Sequence, residues 1–392
     1  MSSTGRLRVG MVGYAFMGAV HAHAWRTAPR FFDLPLVPEL TAVAGRNSEA
    51  LQAAADKMGW NSTETNWRAL IDRDDIDLID ICTPGDTHAA IAIAALQAGK
   101  HVLCEKPLAN TVDEAEQMAA AAERAAAGGA VAMCGFTYRR TPALALFKQM
   151  VETGKVGSIR QVRAQYLQDW LSDENSPLTW RVQKDKAGSG ALGDIGAHII
   201  DAAQFVTGQQ ITGVSGLLET FVKERPLGGD GGGPDDHVGE ARKGPVTVDD
   251  AAAFLARFEN GPIGVFEASR FALGRKNALR LEVNGSRGSL AFDFEDMNSL
   301  QFYDGSDDPG AQGFRRILVT EPEHPYISHW WPAGHGLGYE HGFTHQVVDL
   351  VTAIGAGEQP TPSFADALAV QRVLGAVEES AANDSTWQAV SR

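Results

Sequence analysis

The chain of 392 residues carries 34 Lys and Arg against 49 Asp and Glu, a formal charge of −15. This acidic balance excludes a broad electrostatic grip on nucleic acid or on an anionic membrane, since both need basic patches. With 44% hydrophobic and 21% charged residues, the composition is that of a globular protein long enough for two cores, and its expected partner is a small molecule.

Taken in order, LRVGMV, LTAVA, LIDIC, HVLC and VAMC read as short apolar strands separated by helical patterns such as SEALQAAADKM and HAAIAIAALQAG. Strands alternating with helices predict a doubly wound parallel sheet, an α/β domain over residues 1–137. Thr111 and Glu114 form a capping box at the head of an Ala-rich helix, whereas PRFFDLPLVP at 29–38, with three prolines, predicts an extended connection. Beyond Tyr138, period-two segments such as SIRQVRAQYLQ, AAAFLARFE, IGVFEASRF and ALRLEVNG predict a second, α+β domain over 138–392 with a large open, mostly antiparallel sheet. It should contain a helix around 191–207 and a C-terminal helix at about 363–381; the Gly- and Pro-rich stretch 225–247 reads as a surface loop or a lid. Cys82, Cys104 and Cys134 lie in apolar runs without paired spacing and read as reduced core thiols. Neither an apolar leader nor a membrane-length apolar run occurs, so a cytoplasmic location is expected.

Chemistry concentrates at strand ends. The first strand runs into GYAFMGAVH, which puts Gly13, Ala15 and Gly18 at the fingerprint positions of a dinucleotide-binding turn, with an alanine in the middle place. Backbone N–H groups at Ala15, Phe16 and Met17 would then meet the pyrophosphate at a helix N-terminus. At the end of the second strand, AGRN (44–47) has no acid for the adenosine ribose. Gly45 should leave space, and Arg46 either pairs with a 2′-phosphate, favouring NADP over NAD, or is an ordinary exposed arginine. Lys106 follows a parallel strand, where open α/β sheets bind ligands, and Pro107 fixes the backbone beside it. In GDIGAHIID, Asp194 and His198 stand four apart; on a helix the acid can hold one ring nitrogen while the other faces substrate, making His198 a general base, and a satisfied structural pair is the alternative. His335, His341 and His345 include an i, i+4 pair, but no further ligand pattern accompanies them and no metal is expected.

Together with CTPGDTH (82–88), AGKHVLCEKPLA (98–109) and YRRTPA (138–143), these motifs resemble the Gfo/Idh/MocA oxidoreductases from about residue 7 to 381. YLQDW, SPLTWR and GSGALGDIGAH look similar to the dehydrogenases of cyclitols and anhydrosugars within that family. The resemblance implies hydride transfer between a secondary alcohol of a sugar, anhydrosugar or cyclitol and NAD or NADP. It assigns cofactor contacts to Thr83, Pro84, His88 and Glu105 beside Gly13, Ala15, Phe16, Met17, Gly45, Arg46 and Lys106. Lys106 would stabilise the reacting oxygen, and Asp194 would bind substrate or orient His198. Tyr138, Arg139, Gln168, Trp180, Arg181 and His335 would line the substrate site, and a homodimer or homotetramer is implied. Two other behaviours occur in such proteins: cleavage of glycosidic bonds by transient oxidation with retained NAD(P), and non-enzymatic dinucleotide-binding regulation, against which Lys106, Asp194 and His198 speak.

Overall fold

The computed structural model describes residues 5–227 and 242–391, so residues 228–241 of the Gly- and Pro-rich stretch lie outside the described residues. The chain divides into two compact units, Met1–Leu146 with Leu318–Leu368, and Phe147–Ile317 with Ala369–Arg392.

In the first unit β1 (Gly5–Val12), β2 (Leu36–Ala44), β3 (Ser62–Glu64), β4 (Leu78–Ile81), β5 (His101–Cys104) and β6 (Ala132–Cys134) form one sheet in the order β3-β2-β1-β4-β5-β6. Every neighbouring pair is parallel, as apolar strands joined by helical crossovers require. The crossovers are α1 (Phe16–Phe31), α2 (Ser48–Met58), α3 (Trp67–Ile71), α4 (His88–Gln97) and α5 (Val112–Ala126). Thr111 caps α5 with the expected reciprocal bonds to Glu114. The reading of 29–38 as an extended connection is corrected: Pro29 lies inside α1, and β2 has begun by Leu36. After α6 (Pro142–Glu152) the chain leaves this unit, and it returns later. Residues 318–368 contribute α9 (Tyr339–Ala356), whose Phe343, Val347, Leu350 and Val351 share one core with Leu7, Val9, Met11 and Trp25.

The second unit is built on a nine-stranded sheet ordered β16-β15-β14-β13-β7-β12-β11-β8-β17. Its strands are β7 (Ile159–Leu167), β8 (Ile211–Glu219), β11 (Ala251–Phe258), β12 (Ile263–Ser269), β13 (Ala278–Gly285), β14 (Gly288–Asp293), β15 (Ser299–Asp304), β16 (Arg315–Leu318) and β17 (Gln388–Ala389). The β12–β7 pair is parallel, while β7–β13, β13–β14, β14–β15, β11–β12 and β8–β11 are antiparallel. Strand alternation buries Phe254, Ala256 and Phe266 on one face and leaves Leu217, Leu255 and Val265 exposed on the other. The remaining helices are α7 (Lys184–Ala187), α8 (Ala197–Thr207) and α10 (Phe364–Ala382). The described ends of the expected 225–247 loop are not loop: β9 (Glu224–Pro226) and β10 (Lys243–Pro245) pair antiparallel.

Candidate active site

The turn after β1 is built for an anion. Gly13 has φ +101°, and a Cβ there would lie 2.6 Å from the Cys82 carbonyl oxygen, so no other residue fits. Ala15 is the N-cap of α1, and neither a capping side chain nor an acid in the first turn satisfies the helix N-terminus. Its N–H groups and positive dipole end are therefore left to a ligand, which fits the pyrophosphate of a dinucleotide. Phe16 is exposed and Met17 half-buried at this end.

At the end of β2 the space expected at Gly45 is filled on one side. A Cβ at Gly45 would come 2.1 Å from Cε1 of Tyr14, so the Tyr14 ring occupies the space beside Gly45 and would have to move to admit a side chain there. Arg46 is exposed, whereas the Asn47 side chain is spent capping α2, accepting from the Ala50 N–H at 3.0 Å.

The loop after β4 and the turn after β5 are tied together. His88 is buried with Nε2 2.8 Å from the Thr83 carbonyl and Nδ1 3.0 Å from the Pro107 carbonyl, and the Thr87 hydroxyl reaches that of Thr83 at 2.7 Å. Pro84 caps the short helical turn between them. Glu105 is buried, with Oε1 3.0 Å from Nε2 of His21 and Oε2 accepting the Lys106 N–H at 3.3 Å; Lys106 itself is half-buried.

Tyr138 and Arg139 are also buried in this unit, and Arg139 donates to the Thr361 hydroxyl at 3.3 Å. His335 is exposed, its Nδ1 2.8 Å from the Pro332 carbonyl. His345 is fully buried: Nδ1 faces the Arg140 carbonyl at 2.9 Å, Nε2 accepts from the Trp330 indole at 2.7 Å, and Tyr326 stacks on the ring. Burial lowers its pKa to about 3, so it is a neutral framework residue. The Nδ1 of His341 accepts the Gly338 N–H.

In the second unit Leu192–Gly196 forms a π-helical turn leading into α8, a geometry that recurs at functional sites. Asp194 lies in that turn and His198 in the first turn of α8, both half-buried. Ile195, Ile199, Ala202 and Val206 are buried as their spacing requires. The turn is held from a distance, since Asp249 accepts the N–H groups of Gly190 and Leu192 at 2.7 and 2.8 Å. Arg270, buried, donates to the Asp249 carbonyl and stands 3.8 Å from the Asp194 carboxylate.

The His198 ring lies 5.8 Å from that of Tyr166, whose hydroxyl donates to Asn277 at 2.5 Å. Gln168 also donates to Asn277, at 2.9 Å, and accepts from the Trp170 indole. Trp180 is exposed beneath the Arg181 guanidinium, 4.4 Å from its ring. Tyr166, Asn277, Asp249 and Arg270 were not singled out from sequence. Tyr166 could have been, because it shares a strand face with Gln168; the others have no local signal.

Residues 7–133 match a model of an oxidoreductase family with an NAD-binding Rossmann fold, and residues 144–291 match the GFO/IDH/MocA C-terminal domain. The chain belongs to the Gfo/Idh/MocA oxidoreductases. It is 43% identical over 385 residues to levoglucosan dehydrogenase of Pseudarthrobacter phenanthrenivorans, with 97% of each chain covered. Among solved structures, levoglucosan dehydrogenase in complex with NADH and levoglucosan is similar with a TM-score of 0.92 at 42% identity, covering 99% of this chain and 100% of that one. An oxidoreductase domain protein from Kribbella flavida gives a TM-score of 0.94 at 65% identity, with 99% and 100% covered. This Gfo/Idh/MocA member is accordingly an enzyme, an oxidoreductase with an NAD-binding Rossmann unit.

Proposed function

We propose that the enzyme oxidises a secondary hydroxyl of levoglucosan or a similar anhydrosugar. The observation that carries this reading is the 43% identity to a levoglucosan dehydrogenase across 97% of both chains, which extends through the substrate-binding half. A nicotinamide dinucleotide, when bound, supplies the hydride acceptor. His198 removes the hydroxyl proton, a step for which a positioned base contributes roughly a hundred- to ten-thousand-fold in rate. Asp194 orients that imidazole or binds substrate, and the Lys106 ammonium stabilises negative charge developing on the reacting oxygen. Tyr138, Arg139, Gln168, Trp180, Arg181 and His335 supply hydroxyl contacts and apolar walls. Gly13, Ala15, Phe16, Met17, Gly45, Thr83, Pro84 and His88 form the dinucleotide cradle.

For the choice of dinucleotide, two observations pull apart. The strand end without an acid and the exposed Arg46 favour NADP, and the NADH bound to the 42%-identical relative favours NAD. The exposed Leu217, Leu255 and Val265 on the open sheet face suit a homodimer or homotetramer. No helix among the described residues is long and apolar enough to cross a membrane, and we assign the enzyme to the cytoplasm.

The test is absorbance at the nicotinamide band with levoglucosan, inositols, pyranoses and glycosides, each with NAD and NADP. Stoichiometric NAD(P)H formation with levoglucosan is expected. Turnover of a glycoside without net NAD(P)H formation, or no turnover of any anhydrosugar, would overturn the reading.

A further inference from the structure

Beneath the first unit's ligand-binding edge runs a buried chain of charges that the proposed mechanism does not use. His21, in the second turn of α1, is 1% exposed and its two ring nitrogens each face a carboxylate. Nδ1 lies 3.0 Å from both oxygens of Asp80 on β4, and Nε2 lies 3.0 Å from Glu105 directly after β5. With both carboxylates ionised, the two contacts are satisfied by the imidazolium, both N–H groups donating, whereas a neutral imidazole would turn a lone pair toward one of them. Burial is the largest single influence and opposes the charge, yet the Asp80 carboxylate and the neighbouring Cys82 together raise the His21 pKa well above the ordinary value. The Trp25 indole donates to Asp80 at 2.7 Å and the Cys82 thiol at 3.6 Å, while Phe343 of α9 covers the ring.

Buried ion chains are a poor source of stability, because desolvating each charge costs several kcal/mol and apolar replacements are often neutral or stabilising. What this one supplies is placement. It starts on the helix whose N-terminus receives the pyrophosphate and ends at Glu105, whose second oxygen accepts the Lys106 N–H. We infer that the chain Asp80–His21–Glu105 is a positioning element, fixing the turn that carries Lys106 against α1 and so holding the lysine in register with the dinucleotide. The inference rests on the role proposed for Lys106. Glu105 then acts through this strut, with its carboxylate turned inward.

The test uses Glu105→Gln, which keeps side-chain shape, reduces the buried negative charge and spares the fold, together with Lys106→Ala and the double variant. In Glu105→Gln, kcat for levoglucosan should fall about 10- to 100-fold, the scale of a small misplacement, with the Kd for NADH and the Tm close to wild type. In the Lys106→Ala background, Glu105→Gln should cost nothing further. A readout without substrate is the rate at which acetic anhydride modifies Lys106, mapped by peptide mass spectrometry against Lys148 and Lys223. That rate should rise at least about threefold in Glu105→Gln, because a turn no longer tied to α1 gives the reagent freer access to the half-buried Lys106 side chain. Equal kcat losses in both backgrounds, or an unchanged Lys106 modification rate, would overturn the strut. Full turnover by Lys106→Ala alone would instead remove the role proposed for Lys106, and the strut with it.

Discussion

The two units hold their candidate functional residues by different means. In the first, Gly13, Ala15, Thr83 and Lys106 sit on short turns at the carboxyl ends of β1, β4 and β5, where the strand itself aims the following residues. In the second, Asp194 lies in a π-helical turn and His198 just beyond it in α8, and the Gly190 and Leu192 amides at the head of that turn are held by Asp249, 57 to 59 residues away, with Arg270 beside Asp194. Each site is accordingly vulnerable in its own way. Strand-end residues fail when they are themselves changed, whereas the π-turn fails when distant supports are changed.

The largest expected effect belongs to the strand-end side. Lys106→Ala should lower kcat by about a thousandfold, near 4 kcal/mol of transition-state stabilisation, while fluorescence titration finds NADH affinity intact. Should affinity collapse in parallel, the lysine is holding the turn rather than serving the reaction. On the other side of the comparison, Asp249→Ala strands two buried N–H groups at about 1–3 kcal/mol each. Urea unfolding should show a loss of roughly 2–4 kcal/mol, and Asp249→Asn, which retains one acceptor, a smaller one. An unchanged midpoint for Asp249→Ala would mean that the π-turn is set locally after all.

A third measurement weighs the segment 318–368 that returns to the first unit. His345, neutral and with a pKa of about 3, is protonated far more readily in the unfolded chain, whose histidines titrate near 6.5. Its contribution is therefore complete above that value and is lost as pH falls, by up to about 1.4 kcal/mol per pH unit. Tm recorded from pH 7 to 4 should drop less steeply in His345→Gln, whose amide can keep both hydrogen bonds. Parallel slopes would place the acid sensitivity elsewhere.

The smallest effect concerns Arg46. If the guanidinium meets a 2′-phosphate, Arg46→Ala should weaken NADP by about tenfold, near 1.4 kcal/mol, and leave NAD unchanged. Equal weakening of both dinucleotides would make Arg46 a surface residue and NAD the working cofactor.

The doubly wound sheet, the Gly13 turn, the Thr111 capping box, the period-two strands and the helical stretch containing Asp194 and His198 are legible in the amino-acid order. Each depends on backbone sterics and side-chain periodicity acting over a few residues, which a linear reading contains. Three-dimensional packing was needed to reveal that the Tyr14 ring fills the space beside Gly45, that Pro29 continues α1, and that 318–368 packs with the first unit. It alone paired His21 with Asp80 and Glu105, 59 and 84 residues distant, and set Asp249 and Arg270 around the π-turn. A buried charge or an orphaned amide takes whichever partner the fold delivers within about 3 Å, and sequence spacing carries no record of that partner until the strands are in register.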